Sequence, residues 1–412
     1  MPLSEQDRAI LRDLGERVAA IAALPAQQET VRQWIALNRL RPERPMVMID
    51  QVCWHEMATG DELTPRVQDP FWRVLEVRLR RLLYQWEHMR VDMVVQPWID
   101  IPRAIGSTGY GMRIDEDRAV LDPANTVVGH RYHDTIKTDD DIQRIRTPRV
   151  TVDRETDARR EAEARTVFEG ILNVRMQGAQ PSFAPWDKLA MWRGPEALLY
   201  DLADRPDFIH RIMQRLTQAM LDELDQLEEQ GALGYGHSTI HCSGAHTDEL
   251  PAPGFDPDHP RPADIWTSGM AQIFSTVSPA THQEFELEYA NRWYQRFGLV
   301  YYGCCEPLDT KMDVVRCIPH LRKISMSPWV DAERGSAQIG AEFVFSRKPS
   351  PALLAVDDWC VDPVRRDLQA VKDCCAAHQC PLEFILKDIS TVRYQPQRLW
   401  AWADAAMEVA GG

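Results

Sequence analysis

Short apolar runs alternate with longer amphipathic stretches along this 412-residue chain. Eight of the runs are typical of buried strands, and they lie at 46–49, 92–96, 171–178, 233–242, 298–303, 322–327, 340–345 and 383–388. The segments between them have mostly helical patterns, including 70–89, 206–230 and 265–296. Strands that alternate with helices imply a parallel sheet. Eight such strands predict an α/β fold with a single (β/α)8 TIM barrel, whose long loops lie at the carboxyl-terminal face.

The region before the first strand has a different pattern. Ser4 can cap a helix, apolar residues then recur at helical spacing, and the two prolines in 41–45 end the helical stretch. We therefore predict an N-terminal helical extension at 1–45 and the barrel at 46–412. Gly, His and Asp without periodicity at about 101–150 predict an insertion, either a long loop or a small antiparallel excursion.

Charge and cysteine content limit the partners and the compartment. A formal net charge of −15 argues against a nucleic-acid or anionic-membrane partner, because both need clustered Lys and Arg. The chain has no apolar stretch of about 18 residues, and its first residues are too polar for a signal peptide. Nine cysteines with two adjacent pairs indicate free thiols in a reducing compartment. We expect a cytoplasmic protein that acts on a small molecule, and an oligomer is compatible with these features.

The strand at 298–303 leads into two cysteines and a carboxylate, Cys304, Cys305 and Glu306. The carboxyl ends of barrel strands form the active-site face, so these side chains are candidates for chemistry. Two thiols and a carboxylate can bind a soft divalent metal such as zinc. The alternative is a pair of small buried thiols beside a surface carboxylate, since free cysteine is among the most buried residue types.

Two other residues can complete such a site. His241 lies near the end of the predicted strand at 233–242 and can lean toward the thiols, or it can be a hydrogen-bonded core histidine. Asp388 follows the last strand and is a metal ligand, a partner for Lys387 or a cap for the turn. The predicted metal ligands are Cys304, Cys305, His241, Glu306 and Asp388.

Asp100 is the candidate acid or base because it follows Pro97 and Trp98. A carboxylate beside tryptophan in a dry pocket can transfer protons, whereas a loop-capping aspartate is an equally simple interpretation. The predicted catalytic residues are Asp100, His241 and Glu306. The other polar and aromatic residues at strand ends form a predicted substrate pocket, unless they only solvate the end of the barrel. They are Asp50, His55, Trp98, Gln177, Trp329 and Lys348.

Several short segments resemble the uroporphyrinogen decarboxylase-like superfamily, which also contains the corrinoid-dependent methyltransferases. These segments keep their order along the chain, at 44–48, 92–95, 194–199, 277–279, 297–304 and 386–390. The resemblance implies a single (β/α)8 barrel, in agreement with the eight apolar runs.

The true decarboxylases of this superfamily hold the carboxylates of a tetrapyrrole with two arginines after the first strand. The corresponding stretch here, 48–55, contains no arginine. Asp100 falls where those enzymes carry an essential aspartate, but their late catalytic histidine has no counterpart near Lys387. The resemblance therefore argues against porphyrinogen decarboxylation.

The zinc methyltransferases of the superfamily end the matching strand with His-x-Cys-Gly, and a second cysteine follows the last strand. Here Tyr302 takes the histidine position, Cys304 keeps the cysteine and Cys305 replaces the glycine, while Asp388 stands near the final ligand. This branch implies transfer of a methyl group from a small substrate, such as a methoxylated aromatic compound, to a corrinoid carried by a partner protein. Zinc would assist this O-demethylation.

Two alternatives remain open at the level of the sequence. One is a metal-independent decarboxylase or lyase that acts on a small carboxylic acid with Asp100 and a cation, either Arg347 or Lys348. The other is a barrel that only binds a ligand or a corrinoid protein.

Overall fold

The computed structural model describes residues 3–120, 123–125 and 127–411. Residues 1, 2 and 412, at the ends of the predicted extension and barrel, and residues 121, 122 and 126 of the predicted insertion lie outside the described residues.

The helices are α1 (Glu5–Ala22), α2 (Pro25–Asn38), α3 (Pro70–His88), α4 (Asp139–Ile142), α5 (Arg154–Phe168), α6 (Pro185–Arg193), α7 (Pro195–Asp204), α8 (Pro206–Glu229), α9 (Pro279–His282), α10 (Glu288–Tyr294), α11 (Met312–Val315), α12 (Ala332–Ile339), α13 (Ala352–Ala355), α14 (Asp362–Ala377) and α15 (Gln397–Gly411). The strands are β1 (Met46–Ile49), β2 (Trp98–Pro102), β3 (Ile105–Ser107), β4 (Glu116–Ala119), β5 (Gly129–Tyr132), β6 (Val150–Val152), β7 (Asn173–Gln177), β8 (Thr239–Ile240), β9 (Ser243–Gly244), β10 (Trp266–Gly269), β11 (Leu299–Tyr302), β12 (Leu321–Met326), β13 (Val344–Arg347) and β14 (Leu382–Leu386).

Six strands form one parallel sheet in the order β1, β14, β13, β12, β11, β10. Strands β2 and β7 form a separate parallel ribbon, and a parallel bridge between Phe183 and Gly269 links the segment after β7 to β10. On the other side, the N–H of Asp92 donates to the carbonyl of Val47 in β1 at 3.1 Å. The result is a mixed α/β fold that is compatible with a TIM-like barrel, although the described strands do not pair into a continuous ring.

The strand prediction for 92–96 is wrong, because side chains satisfy the main chain there. The carbonyl of Asp92 accepts a hydrogen bond from the Trp34 indole at 2.8 Å, and the N–H of Val95 donates to the side chain of Gln27 at 2.7 Å. The ladder with β7 starts only at Trp98.

The strand prediction for 233–242 is also wrong. Leu233 makes a single parallel bridge with Ala179, and β8 and β9 form a short antiparallel hairpin. The strand beside β11 is β10, which lies inside the predicted helical region 265–296. The sequence of β10 is Trp-Thr-Ser-Gly, and all four residues are buried, so neither alternation nor an apolar run marks it as a strand.

Other segments have the secondary structure that their patterns predict. Helices α1 and α2 precede β1, and two antiparallel pairs, β3 with β6 and β4 with β5, lie between β2 and α5. Helix α8 buries the apolar stripe that its sequence predicts. None of the helices among the described residues is long and apolar enough to cross a bilayer.

Apolar residues of three strands of the six-stranded sheet pack against α2. Met46, Val344 and Ile385 pack around Trp34 of α2 in one buried cluster. A buried ion pair lies beside this cluster, because Nζ of Lys323 is 2.8 Å from Oε2 of Glu383 and both side chains are fully buried. The carboxyl ends of the same strands are polar, and the candidate site lies there.

Candidate functional site

The carboxyl ends of β11 and β14 bring a thiol and an amine together. Cys304 lies two residues beyond β11, and Lys387 directly follows β14. Nζ of Lys387 is 3.0 Å from Sγ of Cys304, and both residues are 4% exposed. An ammonium at this distance favours the thiolate form of cysteine. The contact is therefore suited to hold a nucleophile.

The ionisation of the two adjacent cysteines is coupled. Sγ of Cys305 is 3.6 Å from Sγ of Cys304. The pKa of Cys304 is lowered to about 3, mainly because Cys305 donates its S–H to the Cys304 sulfur, and His241 and Lys387 lower it further against the effect of burial. The same hydrogen bond, together with burial, raises the pKa of Cys305. Cys304 is therefore the member of the pair whose ionisation is favoured.

Glu306 holds the turn that carries Cys304. Its two carboxylate oxygens accept the N–H groups of Ala271 and Cys304, each at 3.0 Å. Gly303 adopts a φ of 93°, and the carbonyl of Cys304 accepts the hydroxyl of Ser325 at 2.8 Å. Burial raises the pKa of Glu306 to about 7. This geometry gives Glu306 a positioning role, because its oxygens face the main chain.

The hairpin β8–β9 places His241 and Cys242 next to the strand ends. Both turn residues have left-handed backbones, with φ of 42° and 67°, which is uncommon for residues other than glycine. The His241 ring lies 5.1 Å from the ring of Tyr301 and reaches Cys304. Cys242 lies beside Asp50, and burial together with the Asp50 charge raises its pKa to about 12. Neighbours must hold this strained turn in place, which is typical of a functional site.

Asp388 contacts Lys387 and Cys305. Its Oδ2 is 3.3 Å from Nζ of Lys387 and 3.9 Å from Sγ of Cys305. Its N–H donates to the side chain of Gln51 at 3.3 Å. Of the three roles considered from the sequence, the structure shows the partner for Lys387.

Lys348 lies deeper than expected for a residue of a solvated loop. Its Nζ donates to the hydroxyl of Tyr301 and to Oγ of Ser346, the latter at 2.7 Å. Burial lowers the pKa of Lys348 to about 8. Lys348 also lies close enough to Cys242 and Cys304 to interact with their charges.

The other predicted site residues do not join this cluster. Asp100 forms a bidentate ion pair with Arg175, at 2.6 and 2.9 Å, and lines a separate cavity of about 430 Å3 together with Trp98 and Gln177. Trp329 is 78% exposed on the surface. The prediction of a single pocket therefore does not match the structure.

His55 also lies apart from the thiols. It sits in a 3-10 turn, with Nε2 3.5 Å from a carboxylate oxygen of Glu56 and its ring 6.2 Å from that of Tyr394. These contacts fix the segment between β1 and α3.

The side chains do not fit a zinc ion as they are arranged here. Among the residues that the structure describes, no group of three His, Cys, Asp or Glu side chains can hold a metal. The hydroxyl of Tyr302, at the histidine position of the resemblance, meets Nε2 of His282 at 2.5 Å in the buried core. The Lys387 ammonium already neutralises Cys304. Zinc remains a prediction from the sequence.

Sequence reasoning did not assign roles to Lys387, Cys242 or the arginines of α3. Lys387 was noted only as a possible partner of Asp388, although a lysine that ends an apolar strand is a usable signal. A cavity of about 730 Å3 opens beside Asp50 and Gln51 and is lined on one side by α3. No periodic pattern indicates such a cavity.

No protein-family model and no curated protein matches the sequence. Among solved structures, the chain is similar to a methyltransferase from Methanosarcina mazei, with a TM-score of 0.50 and 12% identity over 92% of this chain and 98% of that chain. At this identity the similarity concerns the fold alone. The chain therefore shares, over nearly its whole length, the fold of a methyltransferase.

Proposed function

We propose that this protein is a methyltransferase of TIM-barrel architecture that moves a methyl group from a small methoxylated aromatic substrate to a corrinoid on a partner protein. Two observations support methyl transfer in general: the fold similarity described above and a cysteine sulfur in contact with a lysine amine at the carboxyl ends of the strands. The corrinoid and the methoxylated substrate come from the resemblance of the sequence. The proposal places the chemistry at Cys304 and Lys387.

The contact between Cys304 and Lys387 is the observation that carries this proposal. A thiolate is a soft nucleophile, suited to attack a methyl carbon. In the proposed step, a bond forms between the Cys304 sulfur and the methyl carbon while the carbon–oxygen bond breaks. The departing oxygen keeps the electron pair of that bond and takes a proton from the Lys387 ammonium. A reduced corrinoid on the partner would supply the nucleophile that takes this methyl carbon, and the sulfur–carbon bond would break with its electron pair left on Cys304. Solvent would return the proton to Lys387.

Neighbouring residues would keep this thiolate ready for reaction. Cys305 donates a hydrogen bond to it, and Glu306 fixes the main chain of its turn. His241 approaches it from the hairpin. The turn and the hairpin thus orient the sulfur, whereas Lys387 supplies the charge.

The decarboxylase alternative has less support. Arg347, one of its two candidate cations, is buried and donates to the carbonyl of Ser327 at 2.9 Å and to Asp367 at 3.4 Å. Asp100 is neutralised by Arg175 on β7 and belongs to the separate cavity. The acid and the cations of this alternative therefore do not converge on one site.

The test uses the purified full chain, reduced free cobalamin as methyl acceptor and a panel of methoxylated aromatic compounds. The visible absorbance of the cobalamin reports its methylation. Cys304→Ser should lower the rate by about 100-fold, because a hydroxyl in that position is not ionised at neutral pH. The matched control is Cys317→Ser, since Cys317 is exposed and its sulfur contacts the carbonyl of Asp313.

Unchanged methyl transfer by Cys304→Ser would remove the thiolate from the mechanism. Release of carbon dioxide from a small acid, with no methyl transfer from any substrate, would favour the decarboxylase. Metal analysis of the same preparation tests the zinc prediction, which requires close to one zinc per chain and its loss in Cys304→Ser.

A further inference from the structure

Helix α3 has one face in the core and another that faces a cavity. Its first turn is capped by Asp69, whose carboxylate accepts the N–H groups of Phe71 and Trp72 at 2.9 and 3.1 Å. Leu75 and Leu79 on one face pack in a buried cluster. On the opposite side, Val74 is 71% exposed. An amphipathic helix that exposes valine on its second face lacks a partner there.

The cavity exists because β1 and β2 do not pair. Among the described strands, β1 pairs with β14 and β2 pairs with β7. On its other side, β1 accepts the N–H of Asp92 at the carbonyl of Val47. The cavity lies beside β1 and the segment 91–94, and it reaches Met48 of β1 and Trp34 of α2, which pack in one apolar cluster. Its volume of about 730 Å3 is that of a small-molecule site. We call this cavity the α3 cleft.

Three arginines of α3 line the cleft, and none of them has a carboxylate partner among the described residues. Arg73, near the start of the helix, donates to the carbonyl of Val67 and to the side chain of Gln68. The guanidinium of Arg81 lies 5.0 Å from the ring centroid of Trp54, and one nitrogen of Arg78 donates to the main-chain carbonyl of Asp100. By contrast, Arg80 on the other side of the helix pairs with Glu76 at 2.7 Å. Each guanidinium has five N–H donors, so Arg78 and Arg81 retain capacity to bind an anion.

The inner end of the cleft has the opposite charge. Asp50 lies there, at the end of β1. Its carboxylate disfavours an anion at that end, whereas the valine and methionine side chains favour an apolar body. The two parts of the cleft therefore differ: the rim on α3 is cationic, and the interior beside Met48 is apolar.

We propose that the α3 cleft binds an aromatic carboxylate, with its ring between Val77 and Met48 and its carboxylate on Arg78 and Arg81. Binding itself is independent of the reaction. The further assignment of this anion as the methyl donor rests on the proposed function, because the inner end of the cleft meets Asp50, which lies beside Cys242 of the hairpin that also carries His241.

The test compares two ligands with the same ring, 3,4-dimethoxybenzoate and the neutral 1,2-dimethoxybenzene. Isothermal titration calorimetry of the full chain should show that the carboxylate binds at least about 10-fold more tightly. Arg81→Gln and Arg78→Gln should each weaken the carboxylate by about 10-fold and leave the neutral compound unchanged. Arg90→Gln is the matched control, because Arg90 stacks on Trp86 at 3.9 Å and does not line the cleft.

Absence of binding of the carboxylate to the unchanged protein would overturn the proposal. Equal affinity for both compounds, with no effect of Arg81→Gln, would also overturn it and would identify an apolar site. Carboxylate binding that depends on the arginines, without methyl transfer from the same compound, would leave the cleft assigned and would contradict only its link to the reaction.

Discussion

The six-stranded sheet and the β2–β7 ribbon handle their inward-facing polar groups in different ways. On the sheet, Lys323 and Glu383 are fully buried as an ion pair. On the ribbon, Asp100 and Arg175 form an ion pair whose side chains are 30% and 21% exposed beside a cavity. Continuous pairing of strands therefore fixes charges in a filled interior, whereas the break on either side of the ribbon leaves volume for a ligand.

The sheet and the gap beside the ribbon also have different roles in the proposed reaction. The contact between Cys304 and Lys387 depends on two strand ends that the sheet holds in register through β12 and β13. The α3 cleft depends on the gap between β1 and β2. In our account, the paired strands supply the reactive group and the unpaired edge admits the substrate.

The largest expected effect is on stability, and it compares the two ion pairs directly. Lys323→Met should cost about 3–5 kcal/mol of unfolding free energy, because it leaves Glu383 buried and charged without a partner. Arg175→Met should cost about 1 kcal/mol or less, because water reaches Asp100. Urea denaturation of both variants measures the contrast, and the double variant Lys323→Met/Glu383→Leu should recover most of the loss. Equal losses of unfolding free energy in Lys323→Met and Arg175→Met would contradict the difference between the sheet and the ribbon.

The second expected effect is on the pH dependence of stability, and it comes from Glu306 in the turn that carries Cys304. Burial raises the pKa of Glu306 to about 7, above the usual 4.5, so the folded protein keeps a proton that the unfolded chain releases. The contribution of Glu306 to stability is fully present below pH 4.5 and is lost as the pH rises through 7, by about 3 kcal/mol in all. In Glu306→Gln, the unfolding free energy should change less between pH 4.5 and pH 7 than it does in the unchanged protein. Parallel profiles for the two proteins would contradict the buried, protonated carboxyl.

A smaller effect tests the strained hairpin. Cys242→Gly should raise the unfolding free energy by about 1 kcal/mol, since glycine adopts the left-handed backbone at φ of 67° without a steric penalty. Cys242→Ala is the control, because alanine keeps the Cβ and should bring no such gain. If the two variants have the same midpoint of denaturation, the turn is not strained.

The parts that the sequence predicts are those that depend on local pattern. The apolar runs of β1, β11 and β14 are identified correctly, and the position of Cys304 follows from the end of one of them. The hairpin at His241 was missed because its turn requires two left-handed residues that are not glycine. The strand at 266–269 was missed because four residues with two hydroxyls and a glycine carry no strand pattern.

Long-range proximity accounts for the rest of what was missed. Lys387 lies 83 residues from Cys304 in the sequence, and only the parallel register of four neighbouring strands brings them together. The α3 cleft likewise results from a missing strand pair, which no single segment reveals. Glu306 was recognised as important, but its bonds to main-chain N–H groups could not be read from its place after the cysteines.

The central claim is that Cys304 is a thiolate at neutral pH because of its neighbours. The direct measurement is the rate of alkylation of Cys304 by iodoacetamide as a function of pH, quantified by peptide mass spectrometry with exposed Cys317 as the internal reference. We predict that the reactivity of Cys304 stays constant from pH 8 to about pH 5. In Lys387→Gln, the midpoint for Cys304 should rise by at least about one pH unit. A midpoint for Cys304 near 9, unchanged in Lys387→Gln, would contradict the account.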